Sequence, residues 1–326
     1  MAKLYIIGNG FDLAHGLDTS YWNFRAFLEK TDYNFLLQFE EMYNIHPLDE
    51  SEYGYTLEEQ EKWDNLVYNT LWCEFEKSMG FPDIQSMLDF STCILDNLDL
   101  ESGNIGILDT MNDYWRSQYG FINKLQKYVS EWISQIDLKH VKAKKLSLID
   151  NQKDYFLNFN YTPVLEDIYK IDNVLHIHGS IDKNADMPPF MGHCNQSEID
   201  EHLQLYHEAL DGFDEGETSI HYAIVEFLSA IYKDTSQYIN DNYFFFNNLS
   251  YIDEIIIFGW SAGDVDIPYL KKIRDSVNQS VKWTVYYYDM KAFDTLQKAL
   301  SENNISGYFT ISFIPADKFW DNNTYN

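Results

Sequence analysis

The segment Ile6-Ile7-Gly8-Asn9-Gly10-Phe11-Asp12 constrains the fold of this chain more than any other. A short β-rich run, Lys3 to Ile7, stops at a Gly-Asn-Gly turn, and a helix is predicted from about Ser20 to Glu29. Glycines between a strand and a helix let a backbone approach a pyrophosphate, so this turn reads as a nucleotide-binding edge. A third glycine, Gly16, comes six residues after Gly10, and the spacing departs from the ordinary dinucleotide fingerprint G-x-G-x-x-G. Taken alone, the turn is explained equally by a tight strand-to-helix connection with no ligand.

Three more segments repeat the pattern of an apolar run ending in small or polar residues. Asn158-Phe159-Asn160-Tyr161-Thr162 closes a predicted strand, Tyr155 to Phe159, and alternation places Asn158 and Asn160 on the same side. They face a ligand crevice or cap the helical piece Val164 to Tyr169. Leu175-His176-Ile177-His178-Gly179-Ser180 closes the strand Val174 to Ile177, with His176 and His178 expected on one face. A neutral histidine at a strand end suits general-base chemistry near neutral pH. A metal site joining His193 and Cys194 is the alternative, but no carboxylate stands at a characteristic ligand spacing, and no metal is expected. Phe258 to Asp266 follows the strand Glu254 to Phe258 and precedes a helix beginning near Pro268. Gly259 and Ser261 are placed to approach phosphate or ribose, while Asp264 or Asp266 binds ribose hydroxyls or caps the helix. A doubly wound parallel sheet brings such strand ends together at one edge.

Between these strands the chain reads as helical. Trp63, Leu66, Val67, Leu71 and Phe75 hold helical spacing, as do Phe121, Ile122, Leu125, Tyr128, Val129, Trp132, Ile133 and Ile136. His46 to Tyr55 and the acidic Asp211 to Gly216 read as loops, the latter mobile, with a further helical face running from Ile224 to Ile239. A last strand is expected over Trp283 to Tyr288. The expected fold is an α/β, Rossmann-like parallel sheet with large helical insertions. Its discontinuous core is predicted over 1–33, 146–195 and 251–326, with 34–145 and 196–250 forming a helical lobe.

A formal net charge of −29 leaves no broad basic surface for nucleic acid. A small anionic ligand held by backbone N–H groups stays compatible with it. No run of 18 apolar residues is present, and the opening apolar stretch breaks at Gly8 without a signal-peptide core, so a cytoplasmic protein off the membrane is expected. Cys73, Cys93 and Cys194 form no Cys-x-x-Cys pair, which excludes a thiolate zinc ribbon. Oligomeric state, trigger and protein partners are not written in the sequence, and a homo-oligomer is compatible with it.

In this order the four clusters resemble the AbiH-like abortive-infection family of phage-resistance proteins, a distant branch of the sirtuin-like superfamily. Ile6 to Leu17, IIGNGFDLAHGL, with Thr19-Ser20-Tyr21 is similar to that family's signature. Asn158 to Glu166, His176 to Ser180 and Phe258 to Asp266 fit it, and Trp72-x-x-Phe75-Glu76 marks the insertion. The resemblance covers the sheet-forming third of the chain. It implies a sirtuin-like core in which Gly8, Asn9, Gly10, Phe11, Asp12, Gly179, Gly259, Ser261 and Asp264 bind NAD or a related nucleotide. It implies Asn160 and His178 as the catalytic pair. Asp12 stands where the superfamily usually has Ser, Thr162 where it has Asp, and Asp18 where the family often has Pro. The implied activity is that of an antiphage effector hydrolysing the N-glycosidic bond of NAD or a related nucleotide, with Asn160 positioning water or a ribose hydroxyl and His178 as base. The alternatives are a nucleotide-binding sensor without turnover, which Asp12 and Thr162 favour, and metal-dependent hydrolysis at His176, His178 and His193.

Overall fold

The computed structural model describes residues 2–48, 54–97, 107–144, 153–183 and 185–321. The chain divides into two compact units. One comprises Met1–Ser20, Val129–Phe190 and Asp234–Asn326, the other Tyr21–Tyr128 and Met191–Lys233. Residues 21–33 and 191–195, assigned to the core from sequence, fall in the second unit, and 129–145 and 234–250 fall in the first.

The first unit is built on a six-stranded, wholly parallel sheet. Its strands are β1 (Lys3–Ile7), β2 (Tyr155–Asn158), β3 (Val174–His176), β4 (Glu254–Phe258), β5 (Lys282–Tyr287) and β6 (Thr310–Pro315), ordered β3-β2-β1-β4-β5-β6. This is the doubly wound Rossmann order, in which the direction of winding reverses between β1 and β4. Ile7 pairs with Asn158 on one side and Phe258 on the other, so Gly8, Phe159 and Gly259 leave the sheet side by side.

Both faces of the sheet are covered, which explains the unbroken apolar strands. Leu4, Ile6, Leu157, Ile255, Ile257 and Val285 pack on one face with Tyr269, Leu270 and Ile273 of the helix Ile267–Ser276. Tyr5, Ile7, Phe156, Ile256 and Phe258 pack on the other with Phe11, Val164, Leu165 and Phe319. Strand β6 was not foreseen. Its residues, TISFIP, are only half-buried or exposed at the sheet edge, so the run lacks the apolar continuity that marks the other strands.

The second unit is helical. Its longer helices are Tyr21–Thr31, Tyr33–Glu41, Leu57–Val67, Ile84–Asn97, Ile107–Tyr119, Gln196–Asp211 and Glu215–Ala230. Thr56 and Glu59 close a reciprocal capping box at the start of Leu57–Val67. That helix runs into a π-helical turn, Tyr68–Trp72, which seats Trp72 parallel to Phe75 at 4.4 Å beside Phe24 and Phe39. Two ionic groups lie inside this unit. Arg25 meets both oxygens of Glu40 at 2.7 and 3.1 Å while Trp72 Nε1 donates to Glu40. Lys233, fully buried, donates to Glu76 at 2.8 Å.

Local differences from the sequence reading have physical reasons. Phe121 lies in a 3-10 turn, Gly120–Lys124, before the α-helix Leu125–Ser134, so the expected four-turn helix is shorter. Only residues 212–214 separate the helices ending at Asp211 and beginning at Glu215, because Asp214 caps the second through Glu217 N–H. The expected loop over Asp211–Gly216 is therefore a tight helix-to-helix turn. The run Ile224 to Ile239 breaks at Ile231, where His193 pairs with Tyr232, and resumes as Thr235–Asp241. Part of the loop predicted over His46 to Tyr55, residues 49–53, lies outside the described residues. Among the described residues no helix is long and apolar enough to cross a membrane.

Candidate functional site

The sheet unit gathers its unusual polar residues where β1, β2, β3 and β4 end. The two loops beside the winding reversal touch backbone to backbone. A Cβ on Gly8 would lie 2.5 Å from Trp260 Cα, one on Gly10 would lie 2.6 Å from Gly259 Cα, and one on Gly259 would lie 2.4 Å from Phe11 N. Gly259 also holds φ +68°, which side chains other than glycine rarely adopt. The Gly8 N–H donates to Phe258 O, Gly10 N–H to Gly259 O and Phe11 N–H to Gly8 O, at 2.8–3.1 Å. Contact between the loops thus accounts for all three glycines, and these amides are already occupied. Exposed residues of the two loops are Asn9, whose Nδ2 donates to Thr19 O, with Ser261 and Asp264.

Under the first loop lies a buried carboxylate. Asp12, 1% exposed, accepts Thr162 Oγ1–H at 2.5 Å and Asn160 Nδ2–H at 3.0 Å. Burial pushes its carboxyl up to about 7, while the hydrogen bonds from Thr162 and Asn160 pull downward. Asn160 Nδ2 also donates to Gly8 O at 3.2 Å. With the amide nitrogen held by those two acceptors, Asn160 Oδ1 stays buried and has no hydrogen-bond partner. Asn158 does not cap the following helix; its Oδ1 accepts the Asn160 N–H, and Pro163 occupies the cap position.

The two histidines part company. Strand β3 stops at His176, and the expected shared face ends with it. His176 Nδ1 meets Asn160 O at 2.8 Å and Nε2 meets Glu166 Oε1 at 2.7 Å, so each ring nitrogen faces an acceptor. His178 lies beyond the strand, walled by Phe159 and Tyr269 with ring centroids at 5.3 and 5.6 Å. Its Nε2 stands 3.5 Å from Asp266 Oδ1. Gly179 follows at φ +80°, where a Cβ would collide with Pro188 O at 2.0 Å.

Asp266 occupies the cap position of Ile267–Ser276 without a side-chain cap bond. Its Oδ2 accepts Trp260 Nε1–H at 2.8 Å, which leaves Oδ1 on the His178 side. The capping expected of at least one aspartate is therefore not what Asp266 does. His193, in the helical unit, accepts Asn195 N–H at Nδ1 and donates from Nε2 to Leu228 O. Burial pushes it down to about 4. The ring nitrogens of His176 and His193 are all engaged within the protein, which removes two of the three ligands considered for a metal.

The sheet unit thus brings together Asn160, Asp12 and the two glycine loops, and it sets His178 against Asp266. Sequence reasoning missed the Asp12–Thr162 bond and the Glu166–His176 pair. For the second pair, a Glu and a His each next to a strand end was a usable signal.

The family model for bacteriophage abortive infection AbiH matches residues 4–287. No curated protein and no solved structure matches the chain.

Proposed function

Because the chain belongs to the bacteriophage abortive infection AbiH family, its role lies in abortive infection, and we propose that it hydrolyses the N-glycosidic bond of NAD or a related nucleotide. The observation that carries this reading is the state of Asn160. Its amide nitrogen is fixed by Asp12 and Gly8 O, and its carbonyl oxygen is a buried acceptor awaiting a donor. A water or a ribose hydroxyl is such a donor, and buried acceptors are rarely left unmatched. On the neighbouring strand end stands His178, backed by a carboxylate that is itself oriented by Trp260.

The chemistry follows from these groups. Water held by Asn160 attacks the anomeric carbon as the bond to the nicotinamide nitrogen breaks, and His178 takes the proton the water loses. Asp266 orients the imidazole and stabilises its charged form. The products are free nicotinamide and ADP-ribose. Asn9, Ser261 and Asp264, exposed on the two loops, would hold phosphate and ribose in place of the occupied glycine amides.

The departures at Asp12 and Thr162 support the reading as one coupled exchange. The resembling pattern has a hydroxyl at the first position and a carboxylate at the second; here the order is reversed, and the two side chains are hydrogen-bonded. The second reading, a nucleotide sensor without turnover, is favoured by the occupied amides of Gly8, Gly10 and Phe11.

Purified protein, alone and with lysate from phage-infected cells, is to be incubated with NAD and the products separated by chromatography. The expected result is nicotinamide and ADP-ribose from the wild type, with Asn160→Ala, His178→Ala and Asp266→Asn each losing roughly a hundredfold or more. Undiminished turnover by His178→Ala refutes the mechanism. Nucleotide binding with no turnover under either condition establishes the sensor.

A further inference from the structure

We propose that the helical hairpin Gln196–Asp211 and Glu215–Ala230 carries a divalent transition-metal site of the zinc, cobalt or nickel class, with His202 and His221 as its ligands. The helices repeat one arrangement: Glu198 stands four residues before His202, and Glu217 four before His221, so each carboxylate shares a helix face with its imidazole. The hairpin turn brings the histidines together. Their Nδ1 atoms converge to 2.9 Å, with both rings inside the protein.

The outer ring nitrogens point to the metal reading. His221 Nε2 lies 3.2 Å from Glu217 and His202 Nε2 lies 3.6 Å from Glu198. A histidine that binds metal commonly gives its remaining N–H to a carboxylate, which fixes the tautomer and raises the basicity of the ligating nitrogen. With Nε2 protonated on both rings, two Nδ1 lone pairs face each other at contact distance. That is repulsive unless a cation lies between them. Two zinc–nitrogen bonds of about 2.0–2.1 Å at a tetrahedral angle put the nitrogens about 3.3 Å apart, an opening of a few tenths of an ångström. Burial holds His202 below its ordinary pKa, which favours the neutral ring that ligation requires. The carboxylates of Glu198 and Glu217 are 29% and 54% exposed, so either can swing inward to complete the shell, with water filling the rest. The competing arrangement is a proton shared between the two Nδ1 atoms.

The test uses the full chain, stripped with EDTA and dialysed, titrated with Zn²⁺ by calorimetry and with Co²⁺ by visible absorption. The expected result is one tight ion per chain with histidine-ligated Co²⁺ bands. Zn²⁺ at a hundred times its Kd should also raise the unfolding temperature by about 5 °C. His202→Gln and His221→Gln should each abolish the tight site. Glu217→Gln, on a half-exposed side chain, should weaken it roughly 10–100-fold with the hairpin intact by circular dichroism. An acidic chain binds cations weakly elsewhere, so the difference between variants is decisive. Absence of a tight site in the wild type, or its persistence in both glutamine variants, overturns the proposal and leaves the shared proton.

Discussion

Replacing Asp12 by asparagine should make the protein more stable at alkaline pH, against the usual expectation for a buried hydrogen-bonded carboxylate. Asparagine keeps the shape, and its oxygen can accept from Asn160 Nδ2. Its nitrogen can donate to Thr162, whose hydroxyl turns from donor to acceptor. What the substitution removes is the cost of ionising a carboxyl that burial has pushed from 3.8 to about 7. Below pH 3.8 both folded and unfolded carboxyls are protonated, and the stabilising effect of the raised pKa is fully present. As pH rises toward 7 the unfolded chain releases its proton first, and stability falls until the folded group has ionised too. The whole rise is worth roughly 4 kcal/mol at 1.36 kcal/mol per pH unit, and roughly 3 kcal/mol of it lies between pH 5 and pH 8. Urea unfolding of wild type and Asp12→Asn at pH 5, 6, 7 and 8 should show the gap widening by about that amount in favour of the variant. A gap that does not change with pH refutes the reasoning. It would mean that Asp12 is already ionised at pH 5, held charged by Asn160, Thr162 and His176 more strongly than burial opposes.

Two further predictions concern packing. Gly259→Ala forces a Cβ to within 2.4 Å of Phe11 N at a positive φ, and should cost more than about 2 kcal/mol by urea unfolding, separating the two loops as it does so. Lys233→Met leaves the Glu76 carboxylate buried without its cation and should cost roughly 3–5 kcal/mol. Adding Glu76→Gln should recover much of that loss, and failure to recover any would show that the lysine acts through its packing alone.

The strands with uninterrupted apolar residues were legible to within about a residue: Lys3–Ile7 and Glu254–Phe258 stand as read, and Tyr155–Asn158, Val174–His176 and Lys282–Tyr287 shift by one position at an end. Their shared burial on two faces produces the pattern, and β6, exposed at its edge, lacks it. The four polar strand ends were legible as well, because strand and breaker are neighbours in sequence. The side-chain partners were not. Asp12 meets residues about 150 positions away, and His178 meets Asp266 across a strand crossover. Period-two alternation says which face a residue takes but nothing of which distant strand lies alongside. The glycines illustrate the same limit: Gly8 and Gly10 were read against a ligand, while the backbone that approaches them belongs to Gly259 and Trp260.

The position of β1 in the middle of the sheet has a consequence for the growing chain. β1 is made first, yet its two hydrogen-bonding neighbours begin at Tyr155 and Glu254. At about 5–20 residues per second, some 250 residues take roughly 10–50 s to synthesise. For that interval the ribosome presents an apolar strand whose central seat is closed only by the last third of the protein. Release from the ribosome, and not the emergence of the N-terminus, starts assembly of the edge where the candidate site forms. A nascent chain stalled before β4 should therefore carry no part of the Asn160, His178 and Asp266 arrangement in finished form, and should be a preferred client of chaperones that hold exposed strands.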